Sequence, residues 1–288
     1  MAFELGILAA FGAMLCWGFG DFFIQRTTRK VGDIEALAFI GGLGALGLLP
    51  FMLGELPLLF SVPNLVLLAF VGFVTFVAAM FNFEALKKGK LCVVEVVLEI
   101  ELPVTAMLGV LFFKETILPL QLLVMILVFV GIVLISSCSL SCNHFKRFEK
   151  GVVLAFLAAI GMGLVNFLTA VGAKQVSPLL VIWMPWLVIA IMSLFFVWRR
   201  EGVKRLWANA IKFKTLILLT AFFDTLAWLF YATAVLKNEL VITTAITESY
   251  PAVALFLGLV FNKEKILSHQ YAGAALALAA SLALGFLV

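Results

Sequence analysis

Charge is scarce in this 288-residue sequence: Asp, Glu, Lys and Arg make up 12% of it, against ~25% in a soluble domain. A water-facing surface cannot be assembled from so little, which excludes a soluble globular fold. Histidine is nearly missing, with only His144 and His269, both in polar breaks. No H-E-x-x-H, G-x-S-x-G or P-loop pattern occurs, so the familiar hydrolase and nucleotide-binding chemistries have no residues to run on, and no enzyme is expected. The four cysteines (Cys16, Cys92, Cys138, Cys142) lack the spacing of a disulfide framework. Cys142-Asn143-His144 has no second ligand pair, so no metal site and no cofactor are expected. The chain opens Met-Ala-Phe-Glu without a basic n-region, which argues against a cleaved signal peptide. A net charge of +4, confined to breaks, gives no footprint for nucleic acid.

What is present is long apolar runs. Hydrophobic residues form 65% of the chain and the mean hydropathy is +1.21. Every Lys and Arg lies in or beside a short polar break, and the runs between breaks have the roughly twenty residues that cross a ~30 Å hydrocarbon core. The expected fold is an all-α membrane protein of ten transmembrane helices at 4–25, 34–54, 63–86, 91–113, 118–140, 151–173, 178–198, 215–236, 240–261 and 268–288. The longest break, Arg199–Lys214, is basic and amphipathic, suited to lying on the membrane surface.

The runs divide into two similar halves. Gly6–Phe11 matches Gly151–Phe156 at an offset of 145, which also places Asp21 on Asn166. An offset of 149 matches Lys88 with Lys237, Leu91 with Leu240, Glu99 with Glu248, Gly109 with Gly258, Glu115 with Glu264 and Gln121 with Gln270. The expected organisation is one five-helix repeat at 1–140, a connecting loop at 141–150 and a second repeat at 151–288. Five spans is an odd number, so the second repeat must insert upside down. Inverted repeats characteristically hold a substrate site at the midplane between them. Breaks on the side of the two termini hold 3 Lys or Arg and those on the other side hold 17. The positive side faces the cytoplasm, so both termini are expected outside a cell membrane.

In the last two spans of each half the chain reads Glu101-Leu-Pro103, Gly109, Lys114-Glu115, Gln121, Gly131, then Ser249-Tyr-Pro251, Gly258, Lys263-Glu264, Gln270, Gly273, with Trp17-Gly18 near the end of the first. In these features, and over essentially its full length, it resembles the EamA family of the drug/metabolite transporter superfamily. The resemblance implies two inverted five-helix repeats around a cavity lined by spans one, three, four, six, eight and nine, with five and ten peripheral. It implies transport of a small metabolite or drug-like molecule without fixing the cargo. The second span here carries no Lys or Arg, unlike many such proteins, and the deduced orientation is the reverse of many.

Six carboxyl residues fall inside spans at least four residues from either end: Asp21, Glu95, Glu99, Glu101, Asp224 and Glu248, with no Lys, Arg or His at such depth. An ionisable group at a helix centre costs about 2.5–3.5 kcal/mol on insertion scales, so such groups face an aqueous cavity and mark a pathway. The repeat-matched pair Glu99 and Glu248 is the expected centre. Glu95 shares a face with Glu99, whereas Glu101 lies about 160° from Glu99 on an ideal helix. Both can line one cavity only if Pro103 deforms the turn. Trp17 precedes Asp21 by four residues and Asp224 precedes Trp228 by four, pairing an indole with a carboxylate that could hold a cationic group. For Trp17 and Tyr231 an interfacial aromatic belt is an equal reading. Asn166 is expected to mirror Asp21 in the lining. Asn82 and Glu84 are expected to be solvated near a helix end. Glu115 and Glu264, with their adjacent lysines, are expected to form an interfacial charge cluster. Gly42-Leu-Gly-Ala-Leu-Gly47 satisfies G-x-G-x-x-G but has no preceding strand, so close helix packing is the expected use.

These readings converge on a monomeric secondary carrier in the lipid bilayer, with a small-molecule cargo and proton or Na⁺ coupling at the carboxylates. A passive pore or facilitator for a small cationic or polar solute is the alternative.

Overall fold

The computed structural model describes residues 2–115, 118–136, 150–200 and 202–286. The connecting segment 141–149, with Cys142 and His144, lies outside them, as does Cys138. Among the described residues all regular structure is helical: α1 (Ala2–Val31), α2 (Asp33–Met52), a 3₁₀ turn (Leu53–Phe60), α3 (Val62–Lys88), α4 (Leu91–Leu98), α5 (Glu101–Leu108) continued by a π turn (Gly109–Phe113), α6 (Pro119–Ser136), α7 (Val152–Gln175), α8 (Leu180–Arg200), α9 (Val203–Lys212), α10 (Lys214–Lys237), α11 (Leu240–Thr247), α12 (Tyr250–Val260) and α13 (Ser268–Phe286).

The breaks fall where the chain changes from apolar to basic or to glycine. α1 and α3 close on Arg29-Lys30 and Lys87-Lys88, cations that suit the negative end of a helix dipole. Gly32, at φ 101°, makes the turn from α1 into α2 in a conformation that side chains disfavour. Phe51, Phe60, Leu8, Phe112 and Trp198 are all exposed, as are many other large apolar residues spread over the outer faces. A surface this apolar is one that lipid covers. Helices α1, α2, α3, α4 with α5, α7, α8 and α10 are long and apolar enough to cross a membrane. Among the described residues seven spans, rather than ten, stand on length and composition. The ninth expected span is cut into α11 and α12, and α6 and α13 do not reach the same standard.

The helices pair across the two halves in a reciprocal pattern. α1 lies on α10 while α3 lies on α7, α4 on α12 while α5 lies on α11, and α2 packs on α8 and α6 on α13. Small residues allow the tightest of these contacts. A Cβ on Gly131 would come within 2.7 Å of the Gly273 carbonyl oxygen, and one on Gly273 within 2.7 Å of that of Gly131. The Gly42–Gly47 stretch also serves packing, through one member: a Cβ on Gly44 would come within 2.7 Å of the Trp186 ring, while Gly42 and Gly47 face open space. At the basic end Lys87 pairs with Asp33 at 2.7 Å, and Arg205 of α9 pairs with the buried Glu35 at 3.0 Å, joining the start of α2 to its neighbours.

Candidate functional site

Two helix interruptions build the centre. α4 ends at Leu98 and α5 begins at Glu101; α11 ends at Thr247 and α12 begins at Tyr250. Pro103 has no N–H to offer the Glu99 carbonyl, which instead accepts a tight bond from the Leu102 N–H at 3.2 Å. The chain turns there, as the position of Pro103 suggests, and the turn separates the fates of Glu99 and Glu101.

A narrow cavity of about 50 Å³ sits at these breaks. Asp21 and Trp17 come from α1, Asn82 from α3, Glu101 from α5, Asn166 from α7, Asp224 and Trp228 from α10, Glu248 from the second break and Tyr250 from α12. Spans one, three, four, six, eight and nine all contribute, joined by Leu37 of α2 and Trp186 of α8; α6 and α13 contribute nothing to the lining. Four carboxyl groups line the cavity, with no Lys, Arg or His among the lining residues. Asn166 is the protein's answer to two of them, its Nδ2 donating to Glu248 Oε1 at 3.3 Å and reaching Glu101 Oε2 at 3.5 Å.

Glu99 and Glu95 are fully buried and absent from the wall. Glu99 lies in the field of Glu248, while Glu95 lies in that of Asp21 and neither of its carboxyl oxygens has a hydrogen-bond partner among the described residues. The centre expected at Glu99 and Glu248 is therefore lined by Glu101 and Glu248, because the Pro103 turn brings Glu101 to the wall in place of Glu99. The indoles also differ from the belt reading. Trp17 is buried and packs at 5.1 Å on Trp228, 5.4 Å on Tyr231 and 6.0 Å on Tyr250. Tyr231 is fully buried behind the cavity, its hydroxyl donating to the Asn166 carbonyl at 3.4 Å and bonding the Thr244 hydroxyl at 3.3 Å. Asn82, expected to be solvated, is buried in the lining, whereas Glu84 pairs with Lys87 and Lys88 at the helix end.

Glu115 and Glu264 are the largest surprise. The Glu115 carboxylate accepts from the Leu240 and Val241 N–H groups, both at 3.0 Å, at the start of α11. Glu264 accepts from Leu91 and Cys92, both at 3.0 Å, at the start of α4. Each therefore caps the broken helix of the other half, where free N–H groups and the dipole favour an anion. Lys114 (φ 59°) and Lys263 (φ 53°) adopt the left-handed turn that aims the carboxylates. Gly109 and Gly258 leave them room, since a Cβ would meet them at 2.9 and 3.0 Å. The charge-cluster reading is corrected: the partners are backbone groups, joined at Glu264 by Gln25 Nε2, which donates to Oε1 at 3.4 Å. Gln121 and Gln270 are likewise equivalent, each accepting from the N–H three residues earlier, Leu118 at 2.7 Å and Leu267 at 2.9 Å, at the heads of α6 and α13.

With this geometry in hand, comparison with known proteins gives a consistent picture. The sequence profile of the EamA-like transporter family matches residues 4–137 and again 149–286. A search of curated proteins returns no match. Among solved structures, one described only as the crystal structure of a protein superposes with a TM-score of 0.69 at 15% identity, covering 98% of this chain and 96% of that one. At that identity the likeness speaks for the fold alone.

Proposed function

Because this chain belongs to the EamA-like transporter family, a family of membrane transporters, we propose that it is a secondary carrier of a small solute, built as ten helices in two inverted repeats. The observation that carries this reading is the central cavity, walled by both halves and lined by four carboxyl groups with no Lys, Arg or His beside them. Buried carboxyls at membrane depth persist where something mobile neutralises them: a proton, Na⁺ or a positive group on the cargo. Glu248 and Glu101, bridged by Asn166, stand on opposite repeats and suit an exchange of such ligands as the halves rock. Trp17, Trp228 and Tyr250 line the cavity with Tyr231 packed behind them, and Ala10 and Ala234, nearer the termini, are fully buried. The cavity extends along Asn82 and Leu37 toward the basic end, which this reading assigns to the cytoplasm. This orientation leaves both termini outside the cell membrane.

The test is uptake by purified protein in proteoliposomes, using a cargo selected by a thermal-shift screen of amines, amino acids, sugars and drugs. Glu248→Gln is expected to abolish uptake or uncouple it from the ion gradient while the protein still inserts and melts cooperatively. Unchanged coupled uptake would refute the role given to the cavity.

A further inference from the structure

The lining of the cavity specifies more than an acidic site. Several buried polar atoms on its wall have no hydrogen-bond partner among the described residues: Glu248 Oε2, Asn82 Oδ1 and Trp186 Nε1. All three residues are more than nine-tenths buried. Two of the three atoms are acceptors, and the Asp224 carboxyl lines the same wall. An unsatisfied buried acceptor is costly, so a ligand that brings hydrogen-bond donors, such as the N–H groups of an ammonium, suits this wall. Trp17 and Trp228 supply the adjoining apolar wall, edge to face at 5.1 Å, a surface that receives a flat ring or the face of a cation.

Resting on the carrier reading above, we infer that the cargo is a protonated primary or secondary amine attached to a flat apolar body. The ammonium N–H groups satisfy Asp224 and Glu248, and the ring lies on Trp17 and Trp228. A carboxylate on the same molecule would face Asp21, Glu101, Asp224 and Glu248 with no Lys, Arg or His in the wall to receive it. With Trp186 Nε1 the one unpartnered donor among these wall atoms, anions and zwitterionic amino acids are therefore disfavoured against an amine. A quaternary ammonium keeps the charge and the cation–π contact but has no N–H, so it leaves the acceptors bare.

The experiment holds the ring constant and varies the head group. Titration calorimetry on the full-length protein in detergent compares 2-phenylethylamine, trimethyl(2-phenylethyl)ammonium, phenylacetate and phenylalanine. The amine is expected to bind saturably and the quaternary ion roughly tenfold more weakly, one hydrogen bond's worth. Phenylacetate and phenylalanine are expected to give no binding heat. Asp224→Asn should weaken the amine by about tenfold or more, and Glu248→Gln carries the same expectation should the first variant fail to purify folded. Binding of phenylalanine or phenylacetate as tight as the amine, no amine binding, or amine binding indifferent to both substitutions would overturn the assignment. The two readings fail separately. Amine binding without exchange in proteoliposomes removes the carrier and leaves the ligand class, whereas coupled transport of a zwitterion does the reverse.

Discussion

At the scale of single residues, the reciprocal caps are the strongest feature of the molecule. Glu115 and Glu264 each satisfy two backbone N–H groups at a helix start in the opposite half. Removing such a carboxylate leaves those donors exposed to an apolar surround, at about 1–2 kcal/mol. Glu115→Ala is therefore expected to lower the melting temperature in detergent, and Gly109→Val should do the same by pushing the carboxylate aside. The double variant should be little worse than either single one, because both remove one interaction; fully additive losses would mean that Gly109 acts elsewhere. The sequence marks these positions, since Leu91, Gly109, Glu115 and Gln121 all recur at an offset of 149. It does not disclose their partners. A carboxylate next to lysine reads locally as a surface ion pair, and only the fold reveals that the N–H groups it serves lie more than a hundred residues away. The carboxyls of the cavity were legible for a simpler reason: burying charge in a membrane is costly enough to make each one conspicuous.

At the scale of elements, the two interruptions decide which carboxyls meet the cavity. Simple helical geometry sets Glu99 and Glu101 on opposite faces, and Pro103 was readable as the residue able to alter that. How far the turn rotates depends on packing against α7 and α11, which sequence periodicity does not encode; hence Glu101 rather than Glu99 reaches the wall. Restoring the missing N–H with Pro103→Ala is expected to straighten the turn and withdraw Glu101. Cargo uptake should fall while the melting temperature holds or rises; undiminished uptake would show that the turn survives without proline. α9 poses a separate question. Its exposed Val203, Trp207 and Ile211 recur every four residues, one apolar stripe beside Lys204, Arg205 and Lys212, as expected of a helix lying in the membrane interface. A spin label at Trp207→Cys should sit about 5–10 Å below the head groups, and relaxation by oxygen against a water-soluble nickel complex measures that depth. A fully aqueous signal would place the helix off the membrane.

At the scale of the whole molecule, the exchanged pairing of α1 with α10 and α3 with α7 leaves the cavity walled by both halves, with α6 and α13 outside it. The orientation drawn from 3 Lys or Arg on one side and 17 on the other predicts that a cysteine added at either terminus reacts with a membrane-impermeant maleimide on intact cells. Protection of both would reverse the topology. The central claim, that the halves alternate around a shared acidic cavity, is tested most directly by counterflow in proteoliposomes preloaded with unlabelled cargo. A carrier predicts that preloading accelerates entry of labelled cargo, that entry saturates, and that Glu248→Gln loses this exchange. Entry that rises linearly with concentration and ignores the preload would identify a pore and contradict the account.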